Sequence, residues 1–285
     1  MQAFKDRHYL RREFAELMPR SVRDDPKAWT PPLDPAVLPP PDLTSPDARV
    51  VLELGCGVGN SAFPLMRANL DMFVHACDCS PTAIAALRAN PEHDPRRCNA
   101  FVADLGRGDA PLRGDVDDAS VDAVTGVFFF SALDAEGFAR VALECARVLR
   151  PGGVVLFRDY DVDDVKNGGG RGGGGGVGGG GDAPGGKVNR AAGMREEGEG
   201  NERRSRPGAT PSFEPGEKIG DDAYVRSDGT LAVFTDIAAV ERAFGAVGLE
   251  GECWKVSHEI VNRKLGVKIT RSFVQGRFTK PSETR

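Results

Sequence analysis

Apolar residues along this chain alternate between two patterns: short unbroken runs, and longer stretches with a period of three to four residues. Val50–Leu54 is an apolar run that ends at a glycine turn, the pattern of a strand buried on both faces. A helix is predicted over Asn60–Asn69, a second strand over Met72–Cys77, and a second helix over Ser80–Asn90. Ser80 serves as N-cap of that helix and Pro81 takes its first helical position. A third strand at Asn99–Val102 ends at Asp104, a fourth at Val121–Phe129 ends near Ser131, and Ala135–Leu149 is strongly helical in period. Leu149-Arg150-Pro151-Gly152-Gly153 breaks that helix and feeds a fifth strand, Val154–Phe157. Strand and helix alternate throughout, which predicts an α/β fold with a doubly wound parallel sheet and right-handed crossovers.

The pattern also divides the chain. Phe4, Leu10, Phe14, Leu17 and Met18 are spaced as on a short amphipathic helix over 5–18, so 1–18 form an N-terminal segment. Residues 19–47 are rich in proline, which excludes regular helix or sheet and predicts an extended connector before a core at 48–164. Within Gly168–Gly181, twelve of fourteen residues are glycine, and polar character persists to about Glu217. Such a stretch cannot bury enough apolar surface to offset the entropy of ordering it, so 165–217 are expected to be a disordered insertion. Structure is expected to resume over 218–281. Tyr224–Thr230 reads as a strand into a hairpin-like turn, Thr235 as the cap of a helix through Val247, and 249–260 and 267–279 as two closing strands. Such a terminal pair supplies an antiparallel edge to a parallel sheet.

Composition adds little about partners and more about environment. A net charge of −5 and a pI near 5.5 give no whole-chain argument for nucleic acid, yet Lys255–Arg285 holds eight Lys/Arg against two Glu, a local excess of six positive charges. The six cysteines form no C-x-x-C pair and mostly lie in apolar runs, the distribution of reduced, buried thiols, so neither disulfides nor zinc is expected. The N-terminus lacks an apolar leader and no stretch approaches 18 apolar residues. A cytoplasmic or nuclear protein without membrane attachment is the expectation; acids interleaved with Arg7, Arg11 and Arg12 speak against an organellar presequence.

In open α/β sheets a ligand lies beyond the carboxyl ends of the strands, so those ends hold the candidate chemistry. Strand one ends in Glu53-Leu54-Gly55-Cys56-Gly57-Val58-Gly59-Asn60, where glycines admit close backbone approach and a helix N-terminus offers free amides. Strand two ends in Cys77-Asp78, an acid about twenty positions on that suits the hydroxyls of a ribose. Strand three ends in Ala103-Asp104-Leu105, a carboxylate for an adenine amino group beside an apolar wall. Strand four ends in Val127-Phe128-Phe129-Phe130-Ser131, placed to flank a base and the reactive centre. Dinucleotide enzymes space their glycines G-x-G-x-x-G. Here they fall at 55, 57 and 59 with an acid two residues earlier, which favours S-adenosylmethionine.

Several strings are more specific. Phe4-Lys5-Asp6-Arg7-His8-Tyr9-Leu10 with Glu13-Phe14, the glycine turn, Cys77-Asp78-Cys79-Ser80-Pro81, Arg97-Cys98, Ala103-Asp104-Leu105, Leu149–Gly153, Phe157-Arg158-Asp159-Tyr160 and Tyr224-Val225-Arg226-x-Asp228-Gly229-Thr230 occur in this order, and Lys280-Pro281 follows the last strand. In these strings the chain resembles the tRNA 3-methylcytidine methyltransferases over residues 4–17, 50–160 and about 217–281. The resemblance implies a seven-stranded, Rossmann-like class I methyltransferase sheet and methyl transfer to N3 of a cytidine in the tRNA anticodon loop, at position 32. It implies that Gly55, Asp78, Asp104, Leu105 and Val127 bind S-adenosylmethionine, with Glu53, Gly57, Gly59, Asn60 and Ser80 completing that site. The F-K-D-R-H segment and the basic C-terminal strands would engage tRNA, with a tRNA synthetase or another tRNA-binding protein as a further partner. No metal is implied.

N3 of neutral cytosine carries an in-plane lone pair, so its methylation needs alignment and electrostatics more than a base. The reacting base must be unpaired or splayed from its loop. Asp159, placed just past strand five, is the candidate acceptor for the exocyclic N4 amine, and Arg158 the candidate for a phosphate or for orienting that acid. Arg7 and His8 are candidates to close over the substrate. The chain departs from the family pattern twice. The family's aromatic W-x-x-F-Y-like stretch upstream of F-K-D-R-H is not seen, which reads as a shortened gene or a more open pocket. The glycine-rich insertion also stands where the family carries a helix with a histidine and an arginine. Two alternatives stay open: a methyltransferase for a small molecule or protein, and a non-catalytic RNA-binding relative.

Overall fold

A computed structural model of the chain describes residues 6–19, 39–108, 110–166, 218–220, 223–225, 231–262 and 267–282. Most of the proline-rich connector, the glycine-rich insertion, Phe4-Lys5 and Arg226–Thr230 lie outside the described residues.

Seven strands form one mixed sheet. In chain order they are β1 (Arg49–Leu54), β2 (Met72–Asp78), β3 (Cys98–Val102), β4 (Val121–Val127), β5 (Leu149–Tyr160) and, after three short strands described below, β9 (Glu250–Asn262) and β10 (Val267–Thr279). Their spatial order is β3-β2-β1-β4-β5-β10-β9. The first five are mutually parallel, and β10 runs antiparallel to both β5 and β9. Every residue of β4 is buried, as its central place requires. The expected doubly wound sheet with an antiparallel C-terminal edge is what the chain adopts. The order steps outward from β1 to β2 and β3 on one side and to β4 and β5 on the other, so the crevice between the ends of β1 and β4 is a topological switch point.

Helices cover both faces. On one lie α1 (Leu10–Glu13), α2 (Ala62–Ala68) and α3 (Pro81–Arg88), which bury Leu10, Phe63, Leu65, Ile84 and Leu87 against Val51, Val74 and Leu156. On the other lie α4 (Ala135–Val148) and α6 (Ile237–Gly245), where Val141, Cys145, Val240 and Phe244 meet Leu52, Val124 and Phe157. Burying each such large apolar side chain contributes about 1.5–3 kcal/mol. A short helix α5 (Val162–Lys166) follows β5, and β6 (Lys218–Gly220), β7 (Ala223–Val225) and β8 (Leu231–Val233) form a separate antiparallel sheet. The β7–β8 pairing agrees with the expected hairpin. Among the described residues no helix is long and apolar enough to cross a membrane.

Ser80 caps α3 as predicted, its Oγ accepting from the Ala83 amide at 3.2 Å with Pro81 next in line. Four expectations are corrected. The N-terminal helix is a single α turn, broken at Phe14 and followed by a 3-10 turn at Ala15–Leu17, because Leu10, Phe14, Leu17 and Met18 all insert beneath the sheet. β4 stops at Val127, since Phe128 takes a φ of 56° that no strand accommodates. β5 runs on to Tyr160, where Phe273 of β10 still pairs with it. The cap of α6 is Asp236, whose carboxylate accepts from Ala239 N at 2.7 Å, while Thr235 pairs with Asp161 in an isolated bridge.

Candidate active site

The carboxyl ends of β1 and β2 are bonded together. Gly55, Gly57 and Gly59 have φ of 64°, 55° and 92°, in the left-handed region that glycine enters freely. A Cβ on Gly59 would overlap the Phe63 ring, so that glycine serves packing; one on Gly57 would meet nothing within 4 Å, so that side of the turn is open. Asp78 holds the turn: its Oδ2 accepts from Gly57 N and its Oδ1 from Ser80 N, both at 2.9 Å. The Cys56 amide donates to the Cys77 carbonyl at 2.9 Å.

Beneath the turn lies Glu53, only 4% exposed. Burial pushes its carboxyl up to about 7, against the opposing pull of the Arg7 guanidinium and of bonds from Ser61 and the Ala62 amide. Its Oε2 is buried and has no hydrogen-bond partner among the described residues. A buried orphan oxygen of this kind is suited to a cationic N–H donor.

Arg7 closes the site from the N-terminal segment. Its amide donates to the Asn60 carbonyl at 2.7 Å, and its Nη1 donates to Val127 O at 3.1 Å and to Ser61 Oγ at 3.3 Å. Residue 7 therefore joins the ends of β1 and β4. His8 points outward, its side chain 59% exposed and 3.8 Å from Asp6. At the end of β3, Asp104 is exposed and its Oδ1 accepts from Gly106 N at 3.1 Å, beside buried Leu105; Val127 is buried at the end of β4. The turn residues, Asp78, Asp104, Leu105, Val127 and Arg7 thus share one rim. Ser80 lies there too, with its hydroxyl engaged as the α3 cap.

Arg158 and Asp159 are placed differently from expectation. Asp159 lies within β5 and is fully buried; its Oδ2 accepts from Ser131 N at 2.8 Å and its Oδ1 from Tyr160 N at 2.9 Å. Adjacent strand residues face opposite sides of the sheet, so Arg158 does not orient this acid. Arg158 is buried on the N-terminal-helix side, donating to Gln275 Oε1 at 2.5 Å, with His258 Nε2 at 3.0 Å and Glu13 at 3.6 Å. Burial lowers the pKa of its guanidinium. Neither Gln275 nor His258 carries a sequence signal for the site, since both lie 100 or more residues away from Arg158.

The basic C-terminal run is also largely bonded internally. Lys255 bonds Asp161 and Asp163, Lys268 bonds Glu259, Arg271 forks onto buried Asp164, Arg277 bonds Glu16, and Lys280 donates to the Ala146 and Leu149 carbonyls. Arg263, Lys264 and Arg285 lie outside the described residues. Cys56, Cys77, Cys98 and Cys145 are buried as expected; burial pushes the Cys98 thiol up to about 12, whereas Cys79 is exposed at the rim.

Comparison with known proteins agrees with this fold. A family model described as a methyltransferase domain matches residues 51–153. The tRNA N(3)-cytidine methyltransferase METTL6 of Mus musculus is 33% identical over 279 residues, covering 98% of this chain and 76% of its own. The tRNA N(3)-cytidine methyltransferase METTL2 of Danio rerio is 31% identical over 291 residues, covering 97% and 69%. A solved S-adenosylmethionine-dependent methyltransferase of Methanosarcina mazei superposes with a TM-score of 0.50 at 14% identity, covering 84% of this chain and 95% of that one, a likeness of fold. With the glycine turn, the acids at its strand ends and relatives this similar along nearly its whole length, the chain belongs to the tRNA N(3)-cytidine methyltransferase family.

Proposed function

We propose that this protein is an S-adenosylmethionine-dependent methyltransferase that forms 3-methylcytidine in tRNA, in the anticodon loop at position 32. The observation that carries the acceptor is likeness over 98% of the chain to a protein named for that activity. The donor side is supported by the open face of Gly57 and by the orphan Oε2 of Glu53. In this reading Glu53 accepts from the donor's ammonium, and the turn through Gly55, Gly57, Gly59 and Asn60 lies along its amino-acid end. Asp78 accepts from the ribose hydroxyls with the lone pairs its two amide bonds leave over. Asp104 accepts from the adenine amine, with Leu105 and Val127 as apolar walls. When bound, S-adenosylmethionine supplies an electrophilic methyl group to the N3 lone pair.

The protein's own contribution is alignment and exclusion of water. Arg7 braces the end of β4 against the glycine turn, so the donor and base sides of the crevice are held by one side chain. Asp159 acts as a positioning residue, fixing the Ser131 loop by hydrogen bonding rather than by meeting the base. His8 need not act as a general base, since N3 loses no proton on attack. The substrate is tRNA. The described C-terminal cations pair within the chain and the net charge is −5, and this reading includes a tRNA synthetase or another tRNA-binding protein as a helper.

The test is mass spectrometry of tRNA nucleosides from cells lacking the gene, alongside methylation of that tRNA by the purified protein. Loss of 3-methylcytidine and its restoration in vitro are expected. An unchanged 3-methylcytidine content would overturn the assignment.

A further inference from the structure

Among the described residues, aromatic rings lie both in the core and at the carboxyl end of the sheet. Phe14, Phe157, Phe244 and Phe278 are fully buried core residues, whereas Phe128, Tyr160 and Phe273, at the carboxyl end of the sheet, remain partly exposed. The second group forms one cluster. The Phe128 ring lies 5.0 Å from that of Tyr160, tilted by 31°, and 5.4 Å from that of Phe273, edge-on. Guanidinium groups interleave with it: Arg7 lies 5.5 Å from the Phe128 centroid, and Arg158 lies 4.9 Å from Phe273.

Phe128 takes a strained conformation to join this cluster. Its φ of 56° is one that bulky L residues avoid, and residues held so cluster at active sites and ligand clamps. The strain is held from two sides. The Phe128 amide donates to Arg158 O at 2.8 Å, and the preceding carbonyl accepts from Arg7 at 3.1 Å. A strand continuing past Val127 would have sent the side chain elsewhere; the left-handed residue turns it towards Tyr160 and Phe273, next to the proposed donor wall.

Partly exposed rings interleaved with guanidinium planes, beside the place where a methyl group would be delivered, offer the surface on which unpaired nucleobases stack. We propose that the Phe128–Tyr160–Phe273 cluster is the platform for the target base, with Phe128 making the stacking contact and Tyr160 flanking it. The inference rests on the tRNA methyltransferase reading and assigns the acceptor side of that site. Stacking sets the plane of the cytosine, and so directs the in-plane N3 lone pair, without an ion pair or a general base.

The experiment compares wild type with Phe128→Leu and Phe128→Tyr, and Tyr160→Leu with Tyr160→Phe, in methylation of unmodified tRNA. S-adenosylmethionine affinity and thermal midpoint are measured alongside. Base–aromatic stacking, worth ~1–3 kcal/mol, converts to a roughly 5- to 140-fold loss of kcat/KM for Phe128→Leu, with donor affinity held within about twofold. Phe128→Tyr and Tyr160→Phe keep an aromatic face and should stay within about threefold of wild type. If Phe128→Leu and Tyr160→Leu bind the donor and methylate tRNA like wild type, the rings are packing only and the inference fails while the tRNA reading stands. If Phe128→Leu does not fold, Tyr160→Leu against Tyr160→Phe decides in the same way. A wild-type protein that methylates no tRNA overturns both.

Discussion

A methyl group added at Gly57 tests whether the open face of the glycine turn is where a ligand lies. The backbone there has a φ of 55°, and left-handed geometry costs an alanine about 1–2 kcal/mol. No steric cost adds to this in the free protein, because nothing lies within 4 Å of the new carbon. For a domain of 150–250 residues each kcal/mol moves the midpoint by about 2–4 °C, so Gly57→Ala should melt roughly 2–8 °C lower and remain folded. The same methyl group occupies the side of the turn that the donor would approach. Affinity for S-adenosylmethionine, read by calorimetric titration, should fall at least about tenfold, or ~1.4 kcal/mol. Gly57→Asn sharpens the test, since asparagine tolerates left-handed backbone: its midpoint should lie nearer wild type while the affinity loss persists. Gly59→Ala provides the contrast, because its Cβ would overlap the Phe63 ring and unfavourable packing adds about 1–3 kcal/mol. A Gly57→Ala protein that binds the donor within twofold of wild type would refute the reasoning.

Glu53 and Asp159 provide two further tests. Because Glu53 is raised from 4.5 to about 7 by burial, the folded protein retains a proton that the unfolded chain releases; its contribution is undiminished below pH 4.5, declines as pH rises towards 7 and is level above. Glu53→Gln should therefore gain on wild type by up to about 3 kcal/mol across that window in urea unfolding, and a difference that does not change with pH would exclude the raised carboxyl. Asp159→Asn sets an amide N–H₂ against one of two backbone donors, Ser131 N and Tyr160 N. With hydrogen bonds to charged groups worth about 1.5–3 kcal/mol, the midpoint should drop by roughly 3–12 °C, and a midpoint within 1 °C of wild type would remove its positioning role.

What the sequence determined by itself is local in origin. The periods of apolar residues set the order of strands and helices through β5 and the closing strand pair, because each element must bury its own apolar face. The glycines at 55, 57 and 59 and the acids at 53, 78 and 104 marked the candidate donor site, because strand ends point to one crevice in any doubly wound sheet. What only the tertiary structure decided depends on contacts between distant residues. Arg7 reaches Val127 across 120 positions, and Arg158 reaches Gln275 across 117; no periodicity encodes either. β5 extends to Tyr160 because β10 pairs with it there, which buries Asp159 where a local reading placed it just past the strand. The described C-terminal cations, part of a basic patch in composition, are bonded to carboxylates and carbonyls that the fold brings to them. Phe128 is the clearest case: its sequence continues an apolar strand, and bonds from Arg7 and to Arg158, residues distant in sequence, hold the backbone turn that aims its ring.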